Sequence, residues 1–147
     1  MKKLALLALA MVISACGSAP TPEPTPTLWV CTHDEYLSLI DPITRAWDDA
    51  VAVANATPSM ALSGPIAALQ DLARQMEDLD VGPCADVHQR LVDYERHTID
   101  AYLAFMAGGY DTAWGRAMSE GSIALAEWMT GLNALGQQST ASPTQGQ

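Results

Sequence analysis

Lysine is almost absent from this 147-residue sequence, and most of its charge is of one sign. The only two lysines, Lys2 and Lys3, stand at the N-terminus. After them, five arginines accompany seventeen acidic residues, which gives a net charge of −12. Binding to nucleic acid or to anionic lipid headgroups requires clustered cations that neutralise phosphate. We therefore expect neither kind of partner.

The sequence also lacks the residue patterns of several enzymes and cofactor proteins. It has no nucleophile elbow for a Ser-His-Asp hydrolase, no Glu-x-x-His pair for a di-iron site and no Cys-x-x-Cys-His haem attachment site. Haem held between a Met and a His is another alternative, because Met76, Met106, Met118 and Met129 recur at helical core spacing. Methionine at such positions is more often a packing residue, and His97 lies on a polar helix stripe. We therefore expect no cofactor and no catalytic activity.

Residues 1–16 resemble a bacterial lipoprotein signal peptide. Two lysines give the charged start, an apolar segment covers residues 4–13, and Ile13-Ser14-Ala15-Cys16 matches the lipobox. The resemblance implies that residues 1–15 are cleaved off and that Cys16 carries diacylglycerol and a further acyl chain such as palmitate. An ordinary cleaved signal or an uncleaved anchor is the alternative, although the apolar run is short for a membrane span. The expected location is the extracytoplasmic face of a cell membrane, held by several acyl chains.

Sequence without apolar periodicity occupies both ends of the remaining chain. Four prolines alternate with Thr and Glu between Ser18 and Thr27, a pattern that favours extended polyproline conformation. We expect residues 16–30 to form a lipidated stalk, in which ten residues at about 3.1 Å each would span about 30 Å. Residues 136–147 are mostly Gln, Ser, Thr and Gly, and we expect them to form a disordered tail.

The segment between these ends, residues 31–135, contains four stretches of helical apolar periodicity. The first includes Pro42, which predicts either a kink or a fresh start capped by Asp41. The second begins after Ser63, a residue type that often caps helices. The third runs from Gly82 to Gly109 and has two apolar stripes, so we expect it to be the central helix with neighbours on two sides.

The fourth stretch runs from Trp114 to Leu135 in regular four-three alternation. Short connections between consecutive helices require that neighbours run antiparallel. The predicted fold class is therefore all-α: an up-down-up-down four-helix bundle behind a cleaved signal peptide and a proline-rich linker. The domain resembles small helical bacterial lipoproteins with proline-threonine stalks, and this resemblance implies an envelope location but no activity.

Cys31, His33, Cys84 and His88 belong to one end of the predicted bundle. Once lipidation uses Cys16, only two thiols remain, and outside the cytoplasm such a pair usually forms a disulfide. The predicted topology brings Cys31 and Cys84 within bonding distance, and the two histidines would then be ordinary surface residues. The alternative is a zinc or copper site, because two thiols and two imidazoles suit these metals and Cys84 and His88 share a helix face.

A glycine in a core register of the fourth helix suggests one specific packing contact. Trp47 and Gly121 lie about 21 Å from the same end of the predicted bundle, by rise per residue. Because glycine costs about 1 kcal/mol relative to alanine inside a helix, we expect another group to use the space it leaves. The prediction is that the indole of Trp47 lies over Gly121.

Together these features favour a membrane-tethered lipoprotein of the cell envelope that acts as a non-catalytic interaction or structural module. Its expected partners are the membrane, through the lipid anchor, and possible envelope proteins. The alternative function is a metal or cofactor carrier that uses the end containing Cys31, His33, Cys84 and His88.

Overall fold

The computed structural model describes residues 30–108 and 110–141, with side chains described as far as residue 138. These residues form four α-helices: α1 (His33–Asn55), α2 (Ser63–Glu77), α3 (Ala85–Gly108) and α4 (Thr112–Ala141). Short 3₁₀ turns at Ser59–Ala61 and Gly82–Cys84 precede α2 and α3. The described part contains no strand, so the prediction of an all-α fold with four helices is confirmed. The predicted signal peptide, Cys16 and the proline-rich segment lie outside the described residues.

The side chain of Thr32 caps the start of α1. The Thr32 hydroxyl accepts a hydrogen bond from the Glu35 amide (3.4 Å) and donates one to the Glu35 carboxylate (2.8 Å). The helix then continues through Pro42, so the expected fresh start with Asp41 as cap is not formed. Proline removes one backbone donor, and the carbonyl that loses it belongs to exposed Ser38, where water can satisfy it.

The starts of α2 and α4 are stabilised in different ways. Ser63 was expected to cap α2, but the capping position is Leu62, which makes no side-chain hydrogen bond to the helix. Leu62 is instead 1% exposed, so burial of its side chain fixes the entry into α2. At α4, the carboxylate of Asp111 accepts a hydrogen bond from the Trp114 amide at 2.9 Å, as an N-capping residue does.

The end of α4 lies beyond the expected boundary at residue 135. The helix continues to Ala141, six residues into the segment that was assigned to the tail. A Cβ atom at Gly136 would lie 3.8 Å from the ring of His33, so this part of α4 is close to the start of α1. The last residues of α4 are therefore helical and close to α1, although their sequence has no apolar periodicity.

Two clusters of buried side chains form the core, and α3 contributes to both. One surrounds Tyr36 near the start of α1 and includes Ile40, Met76, Val81, Cys84, Leu91, Val92 and Leu132. The other surrounds Trp47 and includes Ala54, Leu62, Ile66, Leu69, Ala73 and Ile99. α4 packs mainly on α3, and α3 also packs on α2, which agrees with its predicted central place. Among the described helices, none is both long and apolar enough to cross a membrane.

Candidate functional site

The predicted Cys31–Cys84 disulfide is confirmed. The two sulfurs are bonded at 2.07 Å and the Cα atoms lie 5.0 Å apart, inside the usual range for a bridge. The bridge joins the residues just before α1 to the 3₁₀ turn just before α3. Gly82 opens that turn with φ of 47°, a conformation that glycine adopts without steric cost.

His88 is buried beside this bridge, so its prediction as a surface residue is wrong. Only 5% of the residue is exposed, and both ring nitrogens have partners. Nε2 lies 2.9 Å from the carbonyl oxygen of Met76, and Nδ1 lies 3.3 Å from the hydroxyl of Tyr36. The indole N–H of Trp128 in turn donates to the Tyr36 hydroxyl at 3.3 Å. These four residues form the four-helix hydrogen-bond chain, because each comes from a different helix.

The direction of each hydrogen bond in this chain follows from its ends. A carbonyl can only accept, so Nε2 of His88 carries the proton and Nδ1 of the neutral ring accepts from Tyr36. Burial lowers the pKa of His88, although the bond to Met76 opposes this, and the neutral ring is therefore favoured. Burial also raises the pKa of Tyr36 to about 12, despite the opposing bond from Trp128, so the phenol keeps its proton. Every member of the chain is thus satisfied without a charge.

This arrangement gives the predicted metal alternative no support. The sulfurs of Cys31 and Cys84 are bonded to each other, and His88 uses both ring nitrogens inside the protein. His33 is partly exposed and pairs through Nδ1 with Asp34 at 2.8 Å. Within the described residues, no three His, Cys, Asp or Glu side chains are grouped as ligands for a metal ion.

Glu95, two turns after His88 on α3, is a buried acid that the sequence analysis missed. It is 0% exposed, and neither carboxyl oxygen has a hydrogen-bond partner among the described residues. Burial raises its pKa to about 8, and the charge of Glu77 at the end of α2 adds to this effect. The protonated acid therefore predominates at neutral pH. Glu77 itself pairs with Arg96, whose Nε lies 2.8 Å from a Glu77 oxygen.

The spacing of apolar residues contained a signal for both buried polar groups. Val92 and Ile99 are seven residues apart on α3, and both are buried. Residues three or four positions from them lie on the same face of the helix, and these include His88 and Glu95. Both are polar residue types that usually lie at the surface, and for this reason they were not predicted to be buried.

A pocket of about 420 Å³ lies between the last turns of α1, the second half of α3 and the first half of α4. We call it the distal pocket, because it is reached some twenty residues along α1 from Cys31. Its lining residues on α1, α3, α4 and the α1–α2 connection are Val51, Ala54, Asn55, Thr57, Pro58, Ser59, Leu62, Tyr94, Thr98, Ala101, Tyr102, Phe105, Trp114, Ala117, Met118, Gly121 and Ser122, with Tyr110 between α3 and α4.

Aromatic rings and backbone-bonded hydroxyls dominate the distal pocket. Tyr110 packs against Phe105 with ring centres 4.9 Å apart, and against Trp114 at 4.8 Å. The Tyr102 hydroxyl donates to the side-chain oxygen of Asn55 at 2.7 Å. Burial raises the pKa of Tyr102, with a smaller contribution from Tyr94, so this phenol also stays protonated.

Gly121 lies in the wall of the distal pocket, and the predicted Trp47 contact is wrong. An added Cβ at Gly121 would meet the Cβ of His97 at 3.3 Å and the Tyr94 carbonyl at 4.0 Å, both on α3. Trp47 is 3% exposed and packs instead among the side chains of the second core cluster. The glycine therefore allows α4 to approach α3 closely, and the tryptophan fills a different part of the core.

Comparison with known proteins adds no relative from which a role could be transferred. No family model, no curated protein and no solved structure matches the chain.

Proposed function

We propose that the chain is a lipoprotein of the cell envelope that holds a non-catalytic binding domain away from the membrane. Cys16 carries the lipid, the proline-rich segment forms an extended stalk, and the helices form an up-down-up-down bundle. The lipobox and the alternating prolines support the first two elements of this proposal.

Contacts between helix ends support the proposed bundle arrangement. The disulfide and the four-helix hydrogen-bond chain link the starts of α1 and α3 with the end of α2 and the later part of α4. Far along the same helices, Asn55 of α1 bonds Tyr102 of α3. Parallel α1 and α3 with antiparallel α2 and α4 satisfy all of these contacts.

The observation that carries the proposed role is the separation between the tether and the distal pocket along α1. The described chain begins at Val30, next to Cys31 and its disulfide, whereas Val51, Ala54 and Asn55 line the distal pocket. At 1.5 Å per residue, this separation is about 30 Å. A stalk attached at Cys31 would thus leave the distal pocket on the side of the domain that faces away from the lipid.

A direct test compares Cys16→Ala with Ser18→Ala in cells that are fed labelled fatty acid. We expect the wild type and Ser18→Ala to take up the label and to sediment with the membrane. Cys16→Ala should take up no label, and it should either be released or keep its leader. Protease added to intact spheroplasts should remove the bundle of the anchored protein. Equal labelling of Cys16→Ala and the wild type would refute the lipid anchor, and complete protection from protease would refute the extracytoplasmic location.

A further inference from the structure

We propose that the distal pocket binds an uncharged small molecule that contains one or more rings and a group able to form hydrogen bonds. This inference rests on the proposed binding role and names the chemistry of the ligand. The volume of about 420 Å³ falls within the range of roughly 300–1,000 Å³ that is typical of small-molecule sites.

Small side chains create the space for this ligand. Ala54, Ala101, Ala117 and Gly121 all line the distal pocket, and each comes from a helix position that is buried. Large apolar residues fill the equivalent buried positions at the other end, as Leu132 and Leu135 of α4 illustrate. The buried positions of the helices therefore continue past the distal pocket, and the small residues at these positions leave the space that forms the cavity.

The charge of the walls selects an uncharged ligand. Of the described residues that line the distal pocket, none is charged. An ion that enters such a site loses water without gaining an ion pair, which costs several kcal/mol. The chain also carries a net charge of −12 after Lys3, so its long-range field repels anions in particular.

Polar groups in the walls can form hydrogen bonds to the ligand. Three hydroxyls in the walls already donate to carbonyls four residues earlier: Thr57 to Val53, Thr98 to Tyr94, and Ser122 to Met118, at 2.7 to 2.9 Å. Their oxygens can still accept a hydrogen bond. The Tyr102 oxygen is in the same position, since its proton goes to Asn55. The hydroxyls of Tyr94 and Tyr110 and the indole N–H of Trp114 make no hydrogen bond to a described residue and can donate, so the walls offer both acceptors and donors.

The aromatic walls predict the rings. Phe105, Tyr110 and Trp114 form a connected cluster at the junction of α3 and α4, with Tyr94 and Tyr102 further along α3. Aromatic side chains contribute large apolar contact areas and favour offset or edge-on contacts with another ring. A flat ring system gains these contacts at lower entropic cost than a flexible chain, because fewer rotatable bonds are fixed on binding.

The test uses two fluorescent probes with the same ring framework and different charge. N-phenyl-1-naphthylamine is neutral and has one N–H donor, whereas 1-anilinonaphthalene-8-sulfonate adds a negative charge. Titration is performed on the mature-length Cys16→Ala chain, which needs no detergent because it has no lipid. We expect saturable binding of the neutral probe at one site per chain, and at least tenfold weaker binding of the sulfonate.

Matched substitutions on α4 locate the bound probe. Ser122 lines the distal pocket and is exposed, so Ser122→Trp should block the opening and weaken binding of the neutral probe at least tenfold. Ser119 is exposed on the same helix but does not line the distal pocket, so Ser119→Trp should bind as the parent does. Circular dichroism of both variants verifies that the helices are intact.

Three outcomes would overturn the inference. They are absence of saturable binding, equal affinity for the two probes, and equal loss of binding in the Ser122 and Ser119 variants. A quaternary naphthylammonium that displaces the neutral probe more effectively than 1-naphthol would also overturn it, by assigning the site to organic cations. Because the probes are tested without lipid, failure here leaves the Cys16 labelling result independent.

Discussion

Replacing Glu95 with glutamine should abolish a large dependence of stability on pH. The group lies at 0% exposure, and its pKa is about 8 in the fold against an ordinary value of 4.5. The folded state therefore binds more protons than the unfolded state between these values, so the free energy of unfolding falls as pH rises through this window. The contribution is fully present below pH 4.5 and is lost above pH 8.

The size of the effect follows from the two pKa values. A difference of about 3.5 units at about 1.4 kcal/mol per unit corresponds to about 5 kcal/mol between pH 4 and pH 9. About 3 kcal/mol of this is already lost at pH 7. The nearby groups are Glu77, whose charge raises the pKa of Glu95, and Tyr36, which stays protonated throughout this range.

Urea unfolding at a series of pH values measures the effect as the difference between wild type and Glu95→Gln. We expect this difference to change by several kcal/mol between pH 5 and pH 9, in favour of the variant at high pH. Asp49→Asn is the matched control, because it removes one exposed acid of α1 that has no ion pair among the described residues. Its curve should stay parallel to that of the wild type. Parallel curves for Glu95→Gln would show that Glu95 does not titrate as a buried acid.

Three further comparisons of variants test the packing of the bundle. Replacing Cys31 and Cys84 by serine should lower the free energy of unfolding by about 4 kcal/mol. The denatured, non-reduced Cys16→Ala chain should contain no titratable thiol, and two thiols per chain would refute the bridge. Tyr36→Phe should cost about 1–3 kcal/mol, because Nδ1 of His88 and the indole N–H of Trp128 lose their partner, whereas Tyr110→Phe at an exposed ring should cost little. Equal urea midpoints for the two variants would contradict the four-helix hydrogen-bond chain. Gly115→Ala should stabilise α4 by up to about 1 kcal/mol, since no atom lies within 4 Å of the added Cβ. Gly121→Ala should stabilise it less, because its Cβ meets His97 at 3.3 Å. Equal increases in thermal midpoint would contradict the close approach of α4 to α3.

Local sequence patterns were sufficient to predict the helices and the disulfide. Apolar periodicity located all four helices, because a helix must bury a continuous stripe whatever its partners are. The pairing of Cys31 with Cys84 followed from topology and from the small number of thiols. The Thr-x-x-Glu pattern at Thr32 and Glu35, just before an apolar run, is also typical of a helix start, although it was not among the predictions.

Details that depend on tertiary contacts were not predictable in this way. Ser63 has the right chemistry for a cap, but the buried side chain of Leu62 determines how the chain enters α2. Likewise, His88 and Glu95 are polar residues at positions that the helix register buries. His88 is satisfied by Tyr36 and Met76, partners from other helices that are distant in sequence, whereas Glu95 is buried without a hydrogen-bond partner among the described residues.

The distal pocket shows that a small residue at a core position of a helix can lead either to close packing or to a cavity. Gly121 was correctly placed in the core register of α4, and the space it leaves was expected to be filled by Trp47. Helix periodicity predicts which face of a helix a residue lies on, but not how far away the facing helix is. Tyr36 of α1 and Trp128 of α4 share a hydrogen bond, whereas Ala54 of α1 and Ala117 of α4 both line the distal pocket. A run of small residues at buried positions, with aromatic residues beside it, therefore indicates a binding cavity as readily as close packing, and probe binding distinguishes the two.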